Sequence, residues 1–272
     1  MRSLSTTLVL LPCITVVQGL QNLLPKQLQQ VLSPPSRGTS LSFGRPNAAS
    51  AKKLEQELLK TIGELGEENR LTNSDRITSL VKELEQTPSI AQPSISEAVY
   101  GRWRLLHTDN ANTASPIQRK AVSSSKFPIY QDIVFNDKNQ LVVSQVVQFS
   151  ASAELKVDAL ASTSAYPLPE LTDRQGDGKI LGINILGVSK VGDEAKEDPN
   201  RPDSRINFVF DEGNFELGDF GKIPYPVPFR LPILRDAVKG YIDITYLSDR
   251  VRISRGNKGT TFILVKEDSN EA

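Results

Sequence analysis

His107 is the only imidazole in the 272 residues. A lone histidine can serve as a general base, but it needs a nucleophile and an orienting carboxylate to do acyl-transfer chemistry. No Gly-x-Ser-x-Gly element and no Ser/His/Asp arrangement is visible. Cys13, the only cysteine, stands among the first 19 residues, so the remainder has no thiol nucleophile, disulfide or thiolate metal site. Asp173-Arg174-Gln175-Gly176-Asp177-Gly178 has the opening of a calcium loop. Its third position is Gln175, its twelfth is Asn184 rather than Glu, and no helices flank it, so it reads as a solvated turn. Arg255-Gly256-Asn257-Lys258-Gly259 lies between two strand-like runs and is a hairpin turn, not a phosphate loop. These residues point to no catalytic group, no metal and no cofactor. What remains is an apolar and aromatic set with polar tips: Trp103, Leu105, His107, Phe149, Phe208, Phe210 and Tyr246. Brought to one interior, they make the usual lining of a small-molecule site. They serve equally well as core filler. Trp103 can line such a cavity or plug its floor, with Arg252 or Arg255 stacked over the indole.

Short strands must position that set. Gly101–Thr108 alternates, with Trp103, Leu105 and His107 on one face. Runs at 129–135, 141–149 and 153–159 follow, with a turn at 136–139. Arg205–Phe210 groups Ile206, Phe208 and Phe210. Tyr241–Leu247 groups Ile242, Ile244 and Tyr246, and runs at 251–255 and 260–265 complete the chain. Consecutive short strands joined by tight turns describe an antiparallel meander of about eight strands, enough to close a barrel around one small ligand. Two amphipathic helices precede it within 51–87. Leu54, Leu58, Leu59, Ile62 and Leu65 mark the first, which Gly66 stops. Ile77, Leu80, Val81 and Leu84 mark the second, capped by Asn73 or Ser74. Their polar faces mix Glu and Lys, which favours packing on the sheet over lying in a membrane surface. Residues 110–126 are polar and predict a loop or short helix. Residues 163–204 predict an excursion with one hairpin. Pro224, Pro226, Pro228 and Pro232 exclude a helix and a central strand from 220–234, which predicts an extended lid over the barrel mouth.

Hydrophobic residues make up 38% of the chain and charged residues 24%, the balance of a globular domain. Net charge is zero, yet Arg2, Lys26, Arg37 and Arg45 precede the first acid, Glu55, leaving 28 bases against 32 acids beyond them. A mildly acidic domain is a poor nucleic-acid binder. Arg2, the apolar run Leu8–Val17 and the small Gly19 form a signal peptide over 1–19, too short to span a bilayer. Residues 20–50 are rich in Ser, Pro and Gln, free of acids and transit-peptide-like.

Two separated motifs carry a resemblance. Gly101-Arg-Trp-Arg-Leu-Leu-His-Thr108 is similar to the first-strand motif of the plastid-lipid-associated protein (PAP/fibrillin) family, where His107 stands in place of a more usual Tyr. Gly240-Tyr-Ile-Asp-Ile-Thr-Tyr-Leu247, followed by Arg252-Ile-Ser-Arg-Gly-Asn-Lys-Gly-Thr-Thr-Phe-Ile-Leu264, resembles the family's C-terminal signature. The resemblance covers roughly 52–266 and departs over 163–204, where the family crosses with less chain. It implies a mainly β, lipocalin-like barrel domain over 51–272 with its helices in front. It further implies a non-enzymatic protein that binds prenylquinones, carotenoids or acyl lipids and associates peripherally with plastoglobules or thylakoids. Two alternatives stay open: a filled barrel that scaffolds an enzyme of plastid isoprenoid metabolism, and a lipid-modifying enzyme using His107. A signal followed by a transit-like stretch suits delivery into an algal secondary plastid. Leu20 stands where such presequences often carry an aromatic residue.

Overall fold

The structure, a computed structural model, describes residues 48–66, 69–109, 127–180, 183–184, 188–226 and 229–267, all within one compact unit. The expected signal and transit segments before residue 48, Cys13 and the expected loop at 110–126 lie outside the described residues.

Two helices come first. Helix α1 spans Ala48–Leu65, beginning three residues before the apolar spacing suggested, because Ala48, Ala49 and Ser50 extend it. It stops at Gly66, whose φ of 77° is a left-handed conformation that costs glycine little. Helix α2 spans Asp75–Leu84, and the Ser74 hydroxyl accepts from the Ile77 amide at 3.3 Å. Of the two candidate caps, Ser74 does the work. A short turn of 3-10 helix at Glu97–Val99 then leads into the sheet.

The strands are β1 Gly101–Thr108, β2 Ile129–Phe135, β3 Leu141–Ser150, β4 Ala153–Ser162, β5 Lys179–Ile180, β6 Ile183–Asn184, β7 Arg205–Leu217, β8 Lys222–Pro224, β9 Lys239–Leu247, β10 Val251–Gly256 and β11 Thr261–Lys266. Neighbours run β4-β3-β2-β1-β11-β10-β9-β7, and β4 pairs with β7, so eight antiparallel strands close on themselves. Closure leaves the barrel without an unpaired edge. β5 and β6 form the hairpin expected within the 163–204 excursion. β7 runs seven residues past its expected end at Phe210. It lies along β4 over that whole length, while its other edge is shared by β9 and the short β8.

The proline-rich segment is not extended throughout. Pro224 ends the edge strand β8, where a missing N–H is tolerated, and Pro232 opens a one-turn helix, α3, Pro232–Arg235. Both ends of the segment return to β7: the Tyr225 amide donates to Gly213 O at 2.7 Å and the Phe210 amide to Val238 O at 3.0 Å.

Three apolar layers result. The barrel interior gathers Trp103, Leu105, Ile133, Val143, Ile206, Phe208, Ile242, Ile244 and Leu264. Outside β9–β11, Leu58, Ile62, Leu80 and Leu84 of the helices pack on Tyr246, Val251, Ile253 and Ile263. The helix pair therefore packs on the sheet. A third cluster, built on Val209, Phe229 and Val238, holds the proline-rich segment to β7.

Among the described residues four bulges interrupt the ladders. Leu106 is the extra residue on β1 against β11, and Thr245 on β9 against β10. Phe149 is the extra residue on β3 against β4, and Asp211 on β7 against β4. Each shifts every later side chain by one face.

Candidate functional site

The barrel floor is built from β1 outward. The Trp103 side chain is fully buried, and its indole N–H donates to Val99 O at 2.8 Å, joining the first strand to the 3-10 turn before it. The Arg252 guanidinium lies 4.8 Å over the same ring. Arg252 is buried completely, and its neighbours across the ladder, Leu247 and Leu264, both belong to the interior. Its Nη2 donates to Gln131 Oε1, while Nε and Nη1 have no partner. Burial alone pulls its pKa down to about 9. Two residues on, the Ser254 hydroxyl is also buried without a partner. Leu105 faces inward, and Phe208 and Phe210 meet edge to face at 5.4 Å.

From Phe210 the rings continue. Phe210 meets Phe229 at 5.7 Å, Phe229 stacks on Tyr225 at 6.0 Å, and Tyr225 meets Phe215 at 5.8 Å. This track leads from the interior to residues 220–233, where Phe220 is 91% exposed, Ile233 66%, Ile223 52% and Leu231 47%. Gln131, Ser254, Phe215, Tyr225 and Phe229 stand here too and are absent from the expected lining set. Gln131 and Ser254 alternate in phase with Ile133 and Arg252, so parity could have found them. The two rings of the proline-rich segment had no periodic signal.

Three of the expected lining residues are elsewhere. His107 follows the Leu106 bulge and pairs with Ile263, whose side chain lies under the helices, so the imidazole faces out of the barrel. It is 4% exposed, its Nδ1 has no partner, and burial lowers its pKa against a smaller upward pull from Asp109. Tyr246 follows the Thr245 bulge and leaves the face of Ile242 and Ile244 for the helix layer. There its hydroxyl donates to Glu55 Oε1 at 2.7 Å. Burial and then Glu55 raise its pKa. Phe149 is itself a bulge residue, 38% exposed, with its ring edge-on to Phe127 at 5.1 Å. Arg255 does not stack on Trp103. It faces outward and holds Glu85, at the end of α2, with Nε and Nη2 each 3.0 Å from a carboxylate oxygen.

The calcium-like turn is held by the protein's own groups. Asp177 accepts from the Lys179 amide at 3.0 Å and pairs with its ammonium, while the Asp236 carboxylate caps the Gln175 and Gly176 amides at 3.0 and 2.7 Å. A cavity of about 440 Å³ lies between residues 168–172 and the outward-facing Leu160 and Val209, outside the barrel. Among the described residues no group of three or more His, Cys, Asp or Glu side chains is placed to hold a metal, and no helix is long and apolar enough to cross a membrane.

The sequence compares with known proteins along almost the whole described region. It is 40% identical over 195 residues to "Probable plastid-lipid-associated protein 12, chloroplastic" of Arabidopsis thaliana, covering 70% of this chain and 38% of that protein. It is 24% identical over 207 residues to "Light-induced protein, chloroplastic" of Solanum tuberosum, and 23% over 211 residues to "Plastid lipid-associated protein 1, chloroplastic" of Brassica campestris. Each of these two matches covers 71% of this chain and 60% of the relative, so the chain spans less than two thirds of the length of these relatives. No solved structure matches it. The PAP_fibrillin family model matches residues 52–172 and 186–265, and with both sequence motifs on neighbouring strands of the closed barrel, the chain belongs to the PAP/fibrillin family.

Proposed function

We propose that the protein is a non-enzymatic, plastid lipid-associated carrier. It takes a small apolar molecule, a prenylquinone, carotenoid or acyl lipid, into the barrel and associates with a plastoglobule or thylakoid surface. The observation that carries this reading is the track of rings Phe208, Phe210, Phe229, Tyr225 and Phe215, which joins the apolar interior to the exposed side chains of residues 220–233. Exposed apolar tips next to a route inward suit a protein that collects its ligand from a lipid phase. Burial of ligand surface supplies about 25 cal/mol per Å² before ordering costs. Trp103, Leu105, Phe208 and Phe210 would line the ligand. The chloroplastic names of the relatives support a plastid address.

Native mass spectrometry with organic extraction tests this on protein purified from plastid-containing cells. A stoichiometric prenylquinone, carotenoid or acyl lipid is expected. Ligand-free protein that takes up none of them on addition would overturn the reading.

A second reading, a filled barrel that scaffolds a plastid enzyme, has one observation in its favour. A Cβ on Gly240 would stand 2.7 Å from the Phe208 ring, so that ring occupies space at the wall which a hollow barrel would leave open. The same measurement separates the two.

A further inference from the structure

Four guanidinium groups of the described residues pair with carboxylates: Arg102 with Asp132, Arg205 with Asp243, Arg230 with Asp211 and Arg255 with Glu85. Arg252 is more deeply buried than any of them, and among the described residues no carboxylate pairs with it. Its guanidinium keeps Nε and Nη1 free, and the unpartnered Ser254 hydroxyl lies on the same inward face of β10. A floor that merely had to be plugged would be better served by an apolar side chain of the same volume, since a desolvated charge without a counter-ion costs more than it returns. The cation–π contact with Trp103 offsets a part of that cost. Ala159 and Ala161 keep the interior wall of β4 small.

We propose that Arg252, with Gln131 and Ser254, is the head-group site for a single carboxylate, and that the ligand it selects is a long-chain fatty acid lying with its tail along Leu105 and Phe208. A carboxylate both neutralises the guanidinium and accepts from several donors at once, which a neutral carbonyl or hydroxyl does not. One buried cation matches a monoanion. A second cation near the Trp103 ring, Lys266 at 5.4 Å, already donates to Ala98 O at 2.8 Å, which argues against a diphosphate head. The inference rests on the carrier reading and deepens it.

Trp103 is the only tryptophan, so its fluorescence reports directly on this site. Titration of the full chain with palmitic acid, methyl palmitate and hexadecanol tests the proposal. The acid is expected to bind about tenfold or more tightly than the ester and the alcohol, the difference one charge-assisted pair provides. Arg252→Met should abolish that preference and Arg252→Lys should keep part of it. Equal binding of the three ligands by the wild type would overturn the head-group assignment and leave the carrier reading standing. Binding of none of them would overturn the head-group assignment too, and the carrier reading is then decided by native mass spectrometry with prenylquinones and carotenoids. Should Arg252→Met fail to fold by circular dichroism, Gln131→Leu and Ser254→Ala decide the question. Both are expected to lower the acid preference severalfold, and an unchanged preference in both would overturn the proposal.

Discussion

Strands β9 to β11 present two faces, and the two treat charge in opposite ways. On the outer face, under the helices, polar groups find partners: Arg255 holds Glu85, and the Tyr246 hydroxyl meets the nearly buried Glu55. Beside them α1 and α2 make apolar contact with Val251, Ile253 and Ile263. On the inner face Arg252, three residues from Arg255 on the same strand, has one hydrogen bond and no counter-ion. An outer face so arranged holds the fold together. An inner face that keeps an uncompensated charge gives up stability, which is the pattern of a group retained for what it binds.

The contrast can be broken most severely from the outside. Ile253→Ala empties a fully buried position between sheet and helices and is expected to cost about 2–5 kcal/mol in urea denaturation. An unchanged midpoint would mean that the helices do not anchor the barrel. Arg252→Met is expected to act with the opposite sign, leaving the ligand-free protein as stable or about 1–4 kcal/mol more stable, because a desolvated guanidinium is replaced by an apolar chain. A loss of that size instead would make the charge a structural requirement of the floor. The same group sets a pH dependence. Burial pulls its folded pKa down to about 9, well below the ordinary guanidinium value, so folding disfavours the charged form. The penalty is present in full below about pH 9 and is relieved as pH rises above the folded pKa. The stability difference between wild type and Arg252→Met should therefore narrow between pH 8 and pH 10.

Tyr246→Phe sharpens the outer side. It leaves the Glu55 carboxylate, 9% exposed, without its hydroxyl donor and is expected to cost about 1–3 kcal/mol. Arg255→Ala should give the smallest effect, about 1 kcal/mol or less, since the Arg255 side chain is 43% exposed and water screens the pair. A loss well above that would show that Glu85 depends on Arg255 to stay in place at the end of α2.

Strand count, antiparallel order and both helices were legible from residue types and spacing, and the cap of the second helix was narrowed to Asn73 or Ser74, because alternation and capping are local. Also legible was the inward position of Trp103, Leu105 and Phe208, each reached along an unbroken alternation, whereas Arg252 and Arg255 stood as alternatives over Trp103. The errors at His107, Tyr246 and Phe149 all have one cause, a bulge at or just before the residue. Nothing local marks Leu106 or Thr245 as an extra residue. The Thr245 carbonyl, for instance, accepts from Arg201, 44 residues away, at 3.1 Å.

By itself, then, the sequence determined about eight antiparallel strands and two covering helices, since these follow from periods of two and 3.6 and from the residues of tight turns, while its two motifs carried the family resemblance. Tertiary structure alone decided which face a residue takes beyond a bulge and which buried charge meets a partner. Arg252 and Arg255 are the same residue type on the same strand. Glu85, 170 residues away in sequence, packs against Arg255 on the outer face, and among the described residues no carboxylate pairs with Arg252 inside the barrel.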